Sequence, residues 1–207
     1  MHTFEEWKKK LIIVRGGGDI ATGTIYKLHQ SRFPVLVLEI ANPSCIRRTI
    51  SFCEAVFDKE VEVEGVIAKR ADSLREAFAI YEQGQIPVMI DENGSTIETL
   101  HPPVVVDAIL AKKNIGTKII DAPAVIGVGP GFCAGKDVDA VIETQRGHNL
   151  GRVIYEGEAA PNTGIPGRIA GYAKERVIHA PAAGNLHILK QIGEIVQAGD
   201  TIADIEG

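Results

Sequence analysis

A chain of 207 residues can bury one full hydrophobic core, or one core and a small appendage. Its 45% hydrophobic and 24% charged residues are typical of a soluble globular protein, and its net charge of −5 argues against a broad nucleic-acid-binding surface. The sequence has no apolar run near the roughly 20 residues that span a bilayer, and its lysine-rich start is unlike a signal peptide.

The first elements predict an α/β fold. Leu11 to Val14 is a short β-branched apolar run that indicates a buried parallel strand, and three consecutive glycines then interrupt it. Helical spacing follows from Ile20 to Gln30, and a second apolar run from Pro34 to Leu38 ends at Glu39. Strand, glycine turn, helix, strand and acidic residue is the order of a dinucleotide-binding βαβ unit.

The glycine turn fits the GxGxxG/A pattern with Gly16, Gly18 and Ala21. The two glycines permit a tight turn and the close approach of a pyrophosphate, and the small third residue lets helix and strand pack closely. Free N–H groups at the start of the helix would hold an anion, and Glu39 would accept a hydrogen bond from a ribose hydroxyl. Arg15 stands where most such turns have a small apolar residue, which departs from ordinary NAD-binding sequences.

A second candidate for anion binding comes from the next helix. The spacing from Cys45 to Val56 predicts a helix with Arg47 and Arg48 in its first turn, where a bound anion would offset their repulsion from the helix dipole. The pattern then predicts strands over 61–68, 86–91 and 104–110 and a helix from Leu74 to Gln83.

A second glycine loop follows a β-branched run at residues 125–132. Gly127, Gly129 and Gly131 would expose backbone amides to an anion, and Phe132 would stack on a planar ring or pack in the core. The segment has no long helix after it, so it is not a second dinucleotide fingerprint.

Two polar loops near the end of this region complete the candidate site. Arg146 and His148 lie in a turn after a predicted strand over 140–144, where arginine would clamp phosphate and histidine would titrate near neutral pH. Asn162 and Thr163 belong to a rigid loop over 161–167 whose side chains and backbone would face a ligand.

The sequence changes in character near residue 171. The segment resembles one half of a biotinyl/lipoyl-type barrel-sandwich domain, which needs two such halves. We therefore predict a Rossmann-like α/β domain with a parallel sheet over residues 1–170, including a β-rich region, and a partial barrel-sandwich segment over residues 171–207.

Five longer stretches of the sequence are distinctive: RGGGDIATG at 15–23, NPSCIRRTISFCEAVFD at 42–58, DAPAVIGVGPGF at 121–132, ETQRGHNLG at 143–151 and PNTGIPG at 161–167. Together they resemble one family, the YqeB-type accessory proteins of the selenium-dependent molybdenum hydroxylase system. This resemblance implies a bacterial maturation or cofactor-handling protein whose partner is a molybdenum hydroxylase or its maturation machinery. It supplies no catalytic residues.

The motifs and the resemblance together predict a site for a nucleotide-bearing cofactor. A molybdopterin dinucleotide and NAD(P) are the two cofactors that we consider, and the function is cofactor handling, NAD(P)-dependent oxidoreduction or assembly around a structural nucleotide. For oxidoreduction, His101 and His148 are the candidate proton donors. The candidate cofactor-binding residues are Arg15, Gly16, Gly17, Gly18, Asp19, Thr22, Glu39, Arg47, Gly127, Gly129, Gly131, Phe132, Arg146, His148, Asn162 and Thr163.

The three cysteines are few and odd in number, which is typical of a reducing cytoplasm, and none has zinc-ligand spacing. We therefore expect a cytoplasmic protein without a metal site. We expect no nucleic-acid or membrane partner, and the chain could form a homo-oligomer.

Overall fold

The computed structural model describes residues 3–165 and 167–206, which form two compact units divided between Asn162 and Thr163. The first unit is a mixed α/β structure with a large, mostly parallel sheet and few helices. The predicted domain boundary lies eight residues further along the chain, at residue 170.

Helices and strands alternate through most of the first unit. Its helices are α1 (Phe4–Lys8), α2 (Asp19–Gln30), α3 (Ala55–Asp58), α4 (Leu74–Glu82) and α5 (Ser95–Leu100). Its strands are β1 (Ile12–Arg15), β2 (Val35–Glu39), β3 (Glu60–Val63), β4 (Val66–Ala71), β5 (Ile86–Ile90), β6 (Val104–Asp107), β7 (Ala124–Val128), β8 (Cys133–Ala134), β9 (Ala140–Ile142), β10 (Val153–Ile154) and β11 (Gly157–Glu158).

The main sheet has nine strands in the order β10-β9-β7-β6-β1-β2-β5-β4-β3. The pairs β3/β4 and β9/β10 at its two edges are antiparallel, and every pair between them is parallel. Strand β2 lies on one side of β1, and the chain later returns to place β6 on the other side. The strand order therefore reverses direction at β1, and open α/β sheets bind ligands beyond the carboxyl ends of the strands at such a point.

The sheet is buried on both faces because successive side chains of a strand point to opposite sides. Ile12 and Val14 of β1 pack with Ile25 of α2 in one core cluster. Ile13 faces the other way and packs in a second cluster that includes Trp7 of α1. Helices thus cover both faces, and the carboxyl edge of the parallel strands carries the loops of the candidate site.

The predicted helix over 45–56 is wrong. The segment contains two 3₁₀ turns, Arg48–Ile50 and Phe52–Glu54, before α3 begins. Tertiary hydrogen bonds explain the difference: Ser51 is extended, the Phe52 amide donates to the Thr22 hydroxyl at 2.9 Å, and the Cys53 amide donates to the Gly17 carbonyl at 2.8 Å. Attachment to the glycine turn therefore overrides local helix propensity.

Two strand predictions also need correction. The single strand over 61–68 is instead the β3/β4 hairpin, whose turn residues Glu64 and Gly65 have φ values of 51° and 77°, as in a type I′ turn. The strand predicted over 104–110 ends at Asp107, where the side chain bonds the following loop.

The second unit contains the antiparallel strands β12 (Asn185–Ile188) and β13 (Ala203–Glu206) and one 3₁₀ turn, Lys174–Arg176. The described residues of this unit include no fully buried side chain. Pro166, which belongs to the predicted 161–167 loop, and Gly207 lie outside the described residues.

Candidate functional site

Strand β2 and the segment around Cys53 fix the glycine turn between β1 and α2. The Gly16 amide donates to the Leu38 carbonyl at 2.8 Å, and the Gly17 amide donates to Oε2 of Glu39 at 2.8 Å. An added Cβ on Gly17 would lie 3.0 Å from the backbone nitrogen of Cys53. This position needs glycine because the segment that contains Cys53 passes so close.

The turn leaves amides free at the start of α2. Within residues 3–165 and 167–206, no acceptor takes a hydrogen bond from the backbone amides of Gly18, Asp19 or Ala21. An added Cβ on Gly18 would meet nothing within 4 Å, so there is open space in front of this turn. Free amides and the positive end of a 12-residue helix together favour an anion at this place.

Arg47 is the basic residue that the fold brings to these amides. Its guanidinium contacts Oδ2 of Asp19 at 3.0 Å, and its side chain is 57% exposed. Thr22 lies one turn further along α2, where its hydroxyl donates to the Gly17 carbonyl at 3.1 Å and stabilises the glycine turn. Arg47 is thus available to an incoming anion, whereas Thr22 has a structural contact.

Glu39 lies beside the turn at the end of β2. Its oxygens accept from the amides of Gly17 and Ile40, both at 2.8 Å. Burial raises the pKa of this carboxyl above its ordinary value although the two amides lower it. Carboxylate oxygens have further lone pairs, so Glu39 can still accept a hydrogen bond from a ligand hydroxyl.

Arg15 is a correction to the predicted set of ligand contacts. It is 5% exposed, its Nη1 donates to the Thr117 hydroxyl at 2.5 Å, and it lies 3.6 Å from Oδ2 of Asp107. The same hydroxyl donates to Asp107 at 2.5 Å. Arg15 therefore binds β1 to β6 and to the loop after β6, and these internal contacts leave little of it for a ligand.

The second glycine loop is explained by packing. An added Cβ on Gly127 would lie 2.6 Å from the ring of Phe132, which is 4% exposed. Of the two alternatives for Phe132, the structure has the ring packed in the core with Val125 and Val141, which leaves no exposed face for stacking on a ligand. Gly127 is a glycine because it makes room for this ring.

Gly129 and Gly131 permit close approach of neighbouring loops. Gly129 has φ +83°, and an added Cβ would lie 3.0 Å from the Thr144 hydroxyl; Gly131 has φ +112°, and its added Cβ would lie 2.6 Å from the backbone of Lys113. The loops after β6, β7 and β9 are thus packed against one another at the carboxyl edge.

A buried carboxylate organises the loop that carries Arg146 and His148. Glu143 is 5% exposed and accepts from the amides of Gln145 at 2.7 Å and Ala160 at 2.8 Å. Burial alone would raise the pKa of Glu143, but amide hydrogen bonds outweigh it and hold the pKa below its ordinary value. Arg146 and His148 are exposed on the loop that Glu143 fixes.

The remaining predicted residues lie where the two units divide. Asn162 is exposed at the end of the first unit, and Thr163 is exposed at the start of the second. The Thr163 hydroxyl accepts from the Ile165 amide at 3.3 Å, so it forms a local turn.

The predicted residues therefore lie in two groups along one edge of the sheet. Gly16 to Asp19, Glu39 and Arg47 surround the carboxyl ends of β1 and β2, and Arg146 and His148 follow β9. Strand β9 is three positions from β1, or about 14 Å at the usual spacing of 4.8 Å between strands. His101 follows α5 directly before β6 and thus lies at the opposite edge.

Sequence reasoning missed Thr117 and Glu143, which act through tertiary contacts. The sequence did offer a signal for the close approach at Lys113, because a glycine such as Gly131 often marks a place where another backbone passes close by. In the described part of the chain, no group of three or more His, Cys, Asp or Glu side chains is arranged to hold a metal ion. No described helix has both the length and the hydropathy for crossing a membrane.

The fold and this site define an α/β protein with a glycine turn where the strand order of a mostly parallel sheet reverses. The chain is 52% identical over 194 residues to the Escherichia coli (strain K12) protein named "Uncharacterized protein YqeB", a match that covers 94% of this chain. This match supports a YqeB-type assignment, and the chain spans about a third (36%) of the length of that relative. No protein-family model and no solved structure matches it.

Proposed function

We propose that the protein binds a nucleotide-bearing cofactor of molybdopterin type and acts as an accessory protein in the maturation of a molybdenum hydroxylase. The observation that carries the binding proposal is the set of free amides at Gly18, Asp19 and Ala21, beside the point where the strand order reverses. The resemblance of the motifs to accessory proteins of that hydroxylase system supports the maturation role.

In this proposed function the first unit is a Rossmann-like domain. A parallel βαβ unit, a glycine turn and an acidic residue at the end of the second strand favour a bound dinucleotide. The ligand phosphate would accept from the free amides, Arg47 would add charge, and Glu39 would accept from a ribose hydroxyl. The second unit would be one half of a barrel-sandwich that docks the partner.

A second candidate function is oxidoreduction with NAD(H), which the position of Glu39 favours. A carboxylate that contacts the glycine turn suits the 2′-hydroxyl of NAD(H) and would repel the 2′-phosphate of NADPH. Of the predicted proton donors, only His148 lies at the carboxyl edge.

Melting temperature with added nucleotides tests these proposals. NADH, NADPH, CDP, CTP and AMP are added separately, and a ligand at 100 times its Kd stabilises the protein by about 2.7 kcal/mol. Stabilisation by cytidine nucleotides supports cofactor handling, and stabilisation by NADH alone supports oxidoreduction. An unchanged melting temperature with all five nucleotides contradicts both functions and leaves the assembly role.

The variant Gly18→Val tests the place of binding. An added Cβ meets no atom within 4 Å, and φ is −64°, so the variant should fold while its side chain blocks the amides. Gly23→Val is the matched control, because Gly23 is exposed one turn further along α2 and also has open space. Unchanged nucleotide affinity in Gly18→Val would refute the site.

A further inference from the structure

Three loops at the carboxyl edge, those after β6, β7 and β9, pack against one another. The second glycine loop, which follows β7, contacts the other two. Gly131 lies against the backbone of Lys113 in the loop after β6, and Gly129 lies against Leu110 of the same loop and Thr144 of the loop after β9. Both glycines have a left-handed φ, so side chains at these positions would strain the turn as well as separate the loops.

Internal hydrogen bonds also fix the loop after β6. Asp107 accepts from the amide of Ile109 at 3.1 Å, and Asn114 accepts from the amides of Gly116 and Thr117, both at 2.9 Å. Arg15 reaches the same loop through Thr117. Internal hydrogen bonds therefore hold in one position the backbone that carries Lys112 and Lys113, whose side chains are exposed.

The exposed charged side chains of these loops are all cations, and the half-buried carboxylate of Asp121 accepts from the Lys118 amide at 2.9 Å. Their two buried carboxylates, Asp107 and Glu143, are satisfied by internal donors. Five exposed cations form no ion pair with any described carboxylate: Lys112, Lys113, Lys118, Arg146 and Arg152. This one-sided charge contrasts with the net charge of −5 of the whole chain.

We propose that these loops form a second anion subsite, in which Lys112, Lys113 and Arg146 bind a negatively charged group at the distal end of an elongated nucleotide. This inference rests on the proposed nucleotide site at Gly18. The loops follow the strands one to three positions from β1, so the subsite lies about 5–14 Å from the glycine turn. The ligand class is a nucleoside diphosphate whose distal half has its own carboxylate, phosphate or other oxyanion.

A matched pair of sugar nucleotides tests the subsite. UDP-glucuronate and UDP-glucose differ only in the distal carboxylate, and isothermal titration gives the ratio of their affinities. We expect the wild-type protein to bind UDP-glucuronate about fivefold to tenfold more tightly, as a few partly exposed ion pairs would give. In Lys112→Gln/Lys113→Gln this preference should fall to about onefold, with the affinity for UDP-glucose unchanged.

The control variant is Lys9→Gln/Lys10→Gln, which removes the same charge from exposed lysines just before β1, at the opposite edge of the sheet. It should keep the preference. Equal affinity of the two ligands in the wild type, or a preference that survives Lys112→Gln/Lys113→Gln, would overturn the second subsite alone, provided that UDP-glucose binding is lost in Gly18→Val. Absence of binding by both sugar nucleotides would overturn the inference. If the five nucleotides of the melting experiment also left the melting temperature unchanged, the proposed function would be overturned as well.

Discussion

Replacement of Arg15 by methionine tests whether this residue is structural. Asp107 is 1% exposed, and the variant removes the guanidinium that lies 3.6 Å from it and that donates to Thr117. Loss of one partner of a buried ion pair leaves an uncompensated charge and costs about 3–5 kcal/mol of unfolding free energy. The exposed pair between Arg47 and Asp19 provides the control, because Arg47→Met should cost about 0–1 kcal/mol.

Urea unfolding followed by fluorescence measures both costs. Trp7 is the one tryptophan of the chain and is 1% exposed, so its emission reports on the core. The double variant Arg15→Met/Asp107→Leu should regain much of the stability, because it also removes the Asp107 charge that the single variant leaves buried without its cation. A cost for Arg15→Met as small as that for Arg47→Met would refute the structural role of Arg15.

Three further predictions follow from buried groups. Gly127→Ala should cost about 1–3 kcal/mol by overpacking against Phe132, and Phe132→Leu in the same chain should reduce that increment; an equal increment in both backgrounds would contradict the contact. Glu143 has a folded-state pKa below its ordinary value, so its stabilising effect is present above about pH 4.3 and is lost as pH falls through the folded pKa. Glu143→Gln should therefore flatten the dependence of unfolding free energy on acidic pH, and an unchanged slope would contradict this. Burial raises the pKa of the Cys53 thiol, so iodoacetamide should label Cys133 well before Cys53 in the folded protein, as peptide mass spectrometry would show; equal labelling would be the contrary result.

The βαβ core could be read from the sequence because its signals are local. The apolar run before the glycines, the helical spacing after them and the second apolar run correspond to β1, α2 and β2 within one residue at each end. Burial on both faces of a parallel sheet requires such continuous apolar runs, so tertiary structure and local pattern agree.

The site was harder to predict because its side chains act over long distances in sequence. Arg15 contacts Thr117, 102 residues away, and Glu143 bonds Ala160, 17 residues away. A motif gives neither partner, so the sequence alone favours a ligand contact for Arg15. The helix predicted at 45–56 failed for the same reason, since the Phe52 amide donates to the Thr22 hydroxyl and the Cys53 amide to the Gly17 carbonyl, instead of to carbonyls of their own segment.

The central claim is that a nucleotide phosphate binds the amides at the start of α2. Amide nitrogen–proton NMR spectra recorded during titration with CTP, and separately with NADH, test it directly. We expect one of these ligands to shift the signals of Gly18, Asp19 and Ala21 most, and to shift the Gly17 signal less, because the Gly17 amide already donates to Glu39. Shifts centred elsewhere, or none with either ligand at millimolar concentration, would contradict it.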